Sequence, residues 1–160
     1  MHEQWGSDES PQTGPPPSAG GSHHAPKALR LFISTPSDVI WARSQTRLMA
    51  RSLGFSHAPA EKVVLAVSEL AANLVRHARW GELLLTPIHG PGGEGIEVES
   101  RDRGPGIPDP GLAMQNGFST ARGLGIGLPG VRRLMDEFAM TTGPNGTTIV
   151  VRKWTRVRRH

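Results

Sequence analysis

Residues 69–77 read Glu-Leu-Ala-Ala-Asn-Leu-Val-Arg-His. Glu69, Asn73 and His77 stand at i, i+4 and i+8, so on a helix they form one polar stripe, with Arg76 beside it. The surrounding pattern predicts that helix over about Pro59 to His77, with Val63, Val64, Val67, Leu70, Ala71 and Leu74 on its apolar face. Glu69 is the sole charge between residues 63 and 75. A carboxylate in an apolar setting costs desolvation free energy unless it is paired or faces a wet cleft. A solvated surface helix would carry Lys or Arg near the Glu, so the stripe reads as the wall of a cleft.

Two glycine-rich stretches follow. Asp102-Arg103-Gly104-Pro105-Gly106 directly trails a strand candidate at 95–101. The glycines permit tight turns and close approach by a ligand, and Asp102 offers an acceptor at the strand end. Gly123-Leu124-Gly125-Ile126-Gly127-Leu128-Pro129-Gly130 leads into a further helix candidate. Alternating glycines before a helix N-terminus turn backbone N–H groups toward one point, for which phosphate is the natural guest. Gly125-x-Gly127-x-x-Gly130 matches the dinucleotide fingerprint literally, but no apolar strand leads into it and no Asp or Glu follows Ala139 to hold a ribose. No lysine completes a Walker motif, and the His-Arg-Asp set of protein kinases is absent. An acid-and-amide helix, an aspartate before a glycine turn and a phosphate-cradling loop read together as a nucleotide site with Mg²⁺, for which the Asn73 oxygen is a suitable hard ligand.

The remaining pattern supplies the frame. Residues 28–34 read as a strand, and 38–54 as a helix with Ser37-Asp38 as N-cap and Gly54 as stop. That helix carries Val39, Ala42, Thr46, Met49 and Leu53 on one face and Arg43, Arg47 and Arg51 on another. Strands at 82–88 and 95–101 flank a hairpin loop whose glycines lie within residues 89–95. A helix is predicted over about 128–139 from Val131, Leu134, Met135 and Phe138, then a turn at Gly143–Gly146 and a closing strand at 147–153. This order predicts an α+β fold with an antiparallel or mixed sheet and helices on one side.

Composition sets the bounds. The 160 residues include no cysteine, which excludes disulfides, a cysteine nucleophile and thiolate metal sites. No run approaches the roughly 18 apolar residues of a membrane span, and no secretory pattern opens the chain, so a soluble cytoplasmic protein is expected. Glycine and proline number 20 and 14. Residues 1–26 hold nine of them and no Val, Ile or Leu, so 1–27 is expected to be a disordered tail, in which His23-His24 lacks the further ligands a metal needs. Residues 28–153 form the expected domain, and 154–160 a basic tail. Residues 152–160 carry five basic groups and no acid, yet no nucleic-acid motif accompanies them, so no nucleic-acid or membrane partner is expected.

The order Glu69-x-x-x-Asn73, Asp102-x-Gly104-x-Gly106, Gly123-x-Gly125-x-Gly127 and Gly146-Thr147-Thr148 resembles the N, G1, G2 and G3 boxes of the GHKL (Bergerat) ATP-binding fold. The resemblance covers nearly all of 28–153. It implies a two-layer α/β sandwich with a mixed, mostly antiparallel sheet. Glu69 at the first N-box position, in a chain this short, is similar to the stand-alone serine/threonine kinases of stressosome and anti-sigma-factor partner switching. The resemblance implies that Glu69 is the base for a protein Ser or Thr hydroxyl and that Asn73 ligates Mg²⁺ on ATP. It puts Arg76 and His77 near the ATP and Asp102 on the adenine amino group. Gly104, Gly106 and Ile107 then shape the adenine pocket, with Thr147 or Thr148 at its base. The lid is 110–123. Gly123, Gly125 and Gly127, with Leu124 and Ile126 between them, bring amides to the triphosphate, and Arg122 neutralises the transferring phosphoryl. The implied substrate is a STAS-domain protein, and the implied downstream partner a PP2C-type phosphatase or a sigma factor. The alternative is an ATP-binding regulator that sequesters a sigma factor.

Overall fold

The computed structural model describes residues 26–78, 81–104, 106, 111, 114 and 126–156. Strand β1 (Leu29–Ile33) leads into α1 (Pro36–Ser52) and α2 (His57–His77). The hairpin β2 (Gly81–Gly90) and β3 (Gly93–Asp102) follows. Helix α3 (Gly127–Leu134) precedes the hairpin β4 (Glu137–Gly143) and β5 (Gly146–Trp154). The sheet order is β1-β2-β3-β5-β4, and every pairing among the described residues is antiparallel. This is the expected α+β class.

Alternation decides which face of the sheet is covered. Leu83 and Leu85 on β2, Ile96 and Val98 on β3, and Ile149 and Val151 on β5 are buried in one core with Ala42, Val63, Val67, Leu70, Ala71 and Leu74 of the helices. The intervening strand residues carry ion pairs instead. Arg101 Nε donates to Glu99 at 2.6 Å, and Arg152 reaches Glu97 at 2.8 Å and Glu137 at 3.2 Å. Period-two alternation thus separates an apolar inner face from a charged outer one. Leu70 is wholly enclosed. Truncating it to alanine is expected to cost about 2–5 kcal/mol in a denaturant titration, because the cavity refills only in part.

Helix α1 starts earlier than its sequence suggests. Thr35, rather than Ser37 or Asp38, is the N-cap, and Asp38 sits at the third helical position to complete a capping box. The Asp38 carboxylate accepts from the backbone N–H groups of Ser34 and Thr35, each at 2.9 Å, which holds it below the usual carboxylate range. A folded-state value below the unfolded one stabilises the fold above that range and ceases to as pH falls through it. Asp38→Asn should therefore flatten the stability–pH curve below about pH 5, read by urea unfolding at a series of pH values. Arg47 ties the two helices together by donating to both oxygens of Glu61, at 2.9 and 3.2 Å. Helix α2 matches its predicted face, all six apolar residues being buried.

The largest departure lies after α3. The predicted helix over 128–139 stops at Leu134, and Phe138 lies in strand β4, which the periodicity concealed. Val131, Leu134, Met135 and Phe138 keep helical spacing across the break, so the pattern does not mark it. Sheet pairing overrides it. The Asp136 N–H donates to the Arg152 carbonyl at 2.9 Å, and the Asp136 carboxylate accepts from Lys153 Nζ at 3.1 Å and from the Trp154 N–H at 2.9 Å.

The same contacts continue at the end of β5. Strand β5 runs to Trp154, and beyond it the Thr155 and Arg156 N–H groups donate to the Glu94 and Gly92 carbonyls. Arg152 and Lys153, both inside the expected domain, pair with Glu97 and Glu137 and with Asp136 respectively. The 89–95 loop narrows to a turn at Pro91-Gly92, and the Trp154 ring lies so close to Gly95 that an added Cβ there would stand 2.6 Å from it. No helix among the described residues is long and apolar enough to cross a membrane.

Candidate nucleotide site

Helix α2 brings its polar stripe to α3. Glu69 is 7% exposed, and its Oε1 accepts from the backbone N–H of Gly127 at 3.0 Å, a contact across 58 residues of sequence. The donor belongs to the first residue of α3, where the helix dipole favours a negative charge. Gly127 has φ +66°, a conformation that L side chains rarely adopt. Arg76 Nη2 supplies a second donor to the same Oε1 at 3.5 Å. The same nitrogen donates to Asn73 Oδ1 at 2.9 Å. No described group bonds Glu69 Oε2, and among the described residues no buried side-chain oxygen lacks a partner. Oε2 is therefore the oxygen left to face solvent or substrate.

The far end of α2 approaches the end of β3. Asp102 Oδ1 accepts from the Gly104 N–H at 2.8 Å, closing a tight turn at the strand end. A Cβ on Gly104 would stand 3.6 Å from the His77 carbonyl, so this turn lies against the last residue of α2. Gly106 takes φ +84°, and a Cβ there would collide with the Gly143 carbonyl of the β4–β5 turn. Asp102 pairs with Thr147 across β3 and β5. Thr147 is buried on the helix-facing side, and its hydroxyl is 2.8 Å from that of Thr142. Thr148 alternates to the other face of the sheet, away from Asp102 and Thr147. Of the two threonines expected at the pocket base, only Thr147 shares the Asp102 face.

The described site residues therefore group as Glu69, Asn73, Arg76 and Gly127 at one end, and His77, Asp102, Gly104, Gly106 and Thr147 at the other. Ile126 is the residue before α3, and its side chain packs on Gly130. Arg122, Ile107, Gly123, Leu124 and Gly125 lie outside the described residues. The Gly127 N–H was expected on a triphosphate; here it donates to Glu69. Sequence reasoning missed that bond, and it missed Thr142 and Gly143, for which the Gly143–Gly146 turn was the available signal.

Residues 32–153 match the histidine kinase-like ATPase domain family. The chain belongs to this family. The serine/threonine-protein kinase RsbT of Bacillus subtilis is 42% identical over 125 residues, a span covering 78% of this chain and 94% of that kinase. The crystal structure of the RsbU and RsbW domains of Rv1364c from Mycobacterium tuberculosis superposes with a TM-score of 0.57 at 20% identity, over 84% of this chain. The chain spans about a third (34%) of that longer one, and the likeness is one of fold. Membership of the histidine kinase-like ATPase family agrees with the four boxes read from the sequence.

An ATP with its divalent cation suits these donors. The described residues hold no group of three His, Asp or Glu that would cage a metal. Mg²⁺ keeps several waters and is otherwise held by substrate phosphates and one or two side-chain oxygens, and Asn73 Oδ1 is such an oxygen. Gly104 and Gly106 let the end of β3 pack against the His77 and Gly143 carbonyls, where a side chain would obstruct the approach.

Proposed function

We propose that this chain is an ATP- and Mg²⁺-dependent serine/threonine-protein kinase of a cytoplasmic partner-switching pathway. Its substrate is a Ser or Thr on a STAS-domain protein, and its release then activates a PP2C-type phosphatase. The observation that carries this reading is Glu69, a buried carboxylate fixed through one oxygen and open at the other, in a chain 42% identical to a serine/threonine kinase.

The roles proposed are those the family resemblance implies, and the described contacts are compatible with them. Asp102 accepts the adenine amino group while its Oδ1 keeps the Gly104 turn closed. Glu69 Oε2 takes the hydroxyl proton as the Ser or Thr oxygen forms its bond to the γ-phosphorus and the bond to the β-phosphate oxygen breaks. Asn73 holds the cation, which supplies charge neutralisation on the phosphates. Arg122 and the amides of Gly123 and Gly125, which lie outside the described residues, are proposed to complete the phosphate site.

Incubating the protein with labelled ATP, Mg²⁺ and its cognate STAS protein tests the reading. Transfer by the wild type and none by Glu69→Gln supports a kinase. ATP-dependent capture of a sigma factor, unchanged in Glu69→Gln and without transfer, would instead establish a sequestering regulator.

A further inference from the structure

The Arg76 guanidinium occupies an unusual position. It lies in the last turn of α2 and is about one third exposed (36%). One of its nitrogens, Nη2, reaches back to Asn73 Oδ1 at 2.9 Å and to Glu69 Oε1 at 3.5 Å. A single positive group thus bridges the two hard oxygen donors of the stripe. These are the donors that the nucleotide reading gives to the divalent cation and to proton transfer.

Two cations cannot share that place. The Asn73 oxygen has a second lone pair for a metal, but a metal there would stand roughly 4 Å from the guanidinium nitrogen that already donates to it. A guanidinium left within about 4 Å of a divalent ion would be repelled, even at the high effective dielectric of a partly exposed site. Arg76 has a route away, since its side chain is on a solvent-facing edge of the last helical turn. Without it, Glu69 would face Asn73 with one donor, Gly127, instead of two.

We propose that Arg76 is a built-in counter-cation: it holds Glu69 and Asn73 in the nucleotide-free protein and must be displaced from Asn73 when a nucleotide–Mg²⁺ complex binds. Arg76 thereby sets how strongly Mg²⁺ and nucleotide binding are coupled. This rests on the nucleotide reading of the site. It makes Arg76 a positioning residue in the resting state, with a cost to metal entry that the sequence position alone does not reveal.

The test is the ratio of ADP dissociation constants measured by calorimetry in EDTA and in MgCl₂, for wild type, Arg76→Met and Arg76→Lys. Binding of Mg²⁺ to free ADP cancels, because every protein is measured in the same two buffers. A general loss of phosphate affinity or of folded fraction raises both dissociation constants alike and also cancels. The proposal expects the ratio to rise about fivefold or more in Arg76→Met, within the usual range of site–site coupling, and to stay near wild type in Arg76→Lys. An unchanged or smaller ratio in Arg76→Met overturns it. An equal rise in both variants assigns the effect to side-chain shape rather than charge and overturns it as well. No ADP binding by the wild type in either buffer overturns the nucleotide reading itself, and the proposal with it.

Discussion

Glu69→Gln is expected to lower phosphoryl transfer by about 10²–10⁴-fold, the usual worth of a general base, while leaving the protein folded. The amide oxygen of glutamine still accepts from the Gly127 N–H, so the link between α2 and α3 survives. Glu69→Ala should lose the same activity and destabilise the fold as well. It leaves the N–H of Gly127, a buried residue, without its acceptor, a cost of about 1–3 kcal/mol. The measurements are labelled-phosphate transfer and the denaturant midpoint of each variant. Full activity in Glu69→Gln would remove Glu69 from proton transfer. Equal midpoints for the two variants would show that the Gly127 bond contributes nothing to stability.

Asp102→Asn is expected to weaken ATP binding by roughly 10- to 100-fold, the equivalent of a lost hydrogen bond to a charged group. The asparagine oxygen can replace Oδ1 as acceptor for the Gly104 N–H, so the turn at the end of β3 stays closed. The other end of the side chain becomes an NH₂ group, which opposes the adenine amino group donor to donor. Equilibrium ATP binding, set beside an unchanged melting temperature, checks the role. Wild-type affinity in Asp102→Asn would place the base elsewhere.

The elements that bury a regular face were legible in the sequence. Helix α2 could be read from Val63 to Leu74, because each buried position recurs at helical spacing with no competing signal. The paired carboxylate and amide at 69 and 73 were legible for the same reason. What the sequence concealed depends on contacts between distant residues. Nothing near Gly127 announces that its N–H serves a carboxylate 58 residues earlier. The boundary between α3 and β4 hides inside an unbroken apolar period and is set by Arg152, Lys153 and Trp154 meeting Asp136. The glycines around residue 92 read as turn formers, but Gly95 is needed also because the Trp154 ring lies on it. Thr147 and Thr148 are chemically alike, and only the register with Asp102 tells them apart.

The pairing of β3 with β5 has a consequence for how this fold tolerates change. Asp102 and Thr147 are neighbours in the sheet, so everything from Arg103 to Gly146 is a loop closed by that ladder, with α3 and β4 inside it. The entropy lost in closing a loop grows only with the logarithm of its length, and doubling the length costs about 0.6 kcal/mol. The stretch between Gly106 and α3 can therefore change length at small thermodynamic expense, provided the ladder and the Glu69–Gly127 link remain. The architecture separates a frame held by the ladder from an insert whose length is cheaply varied.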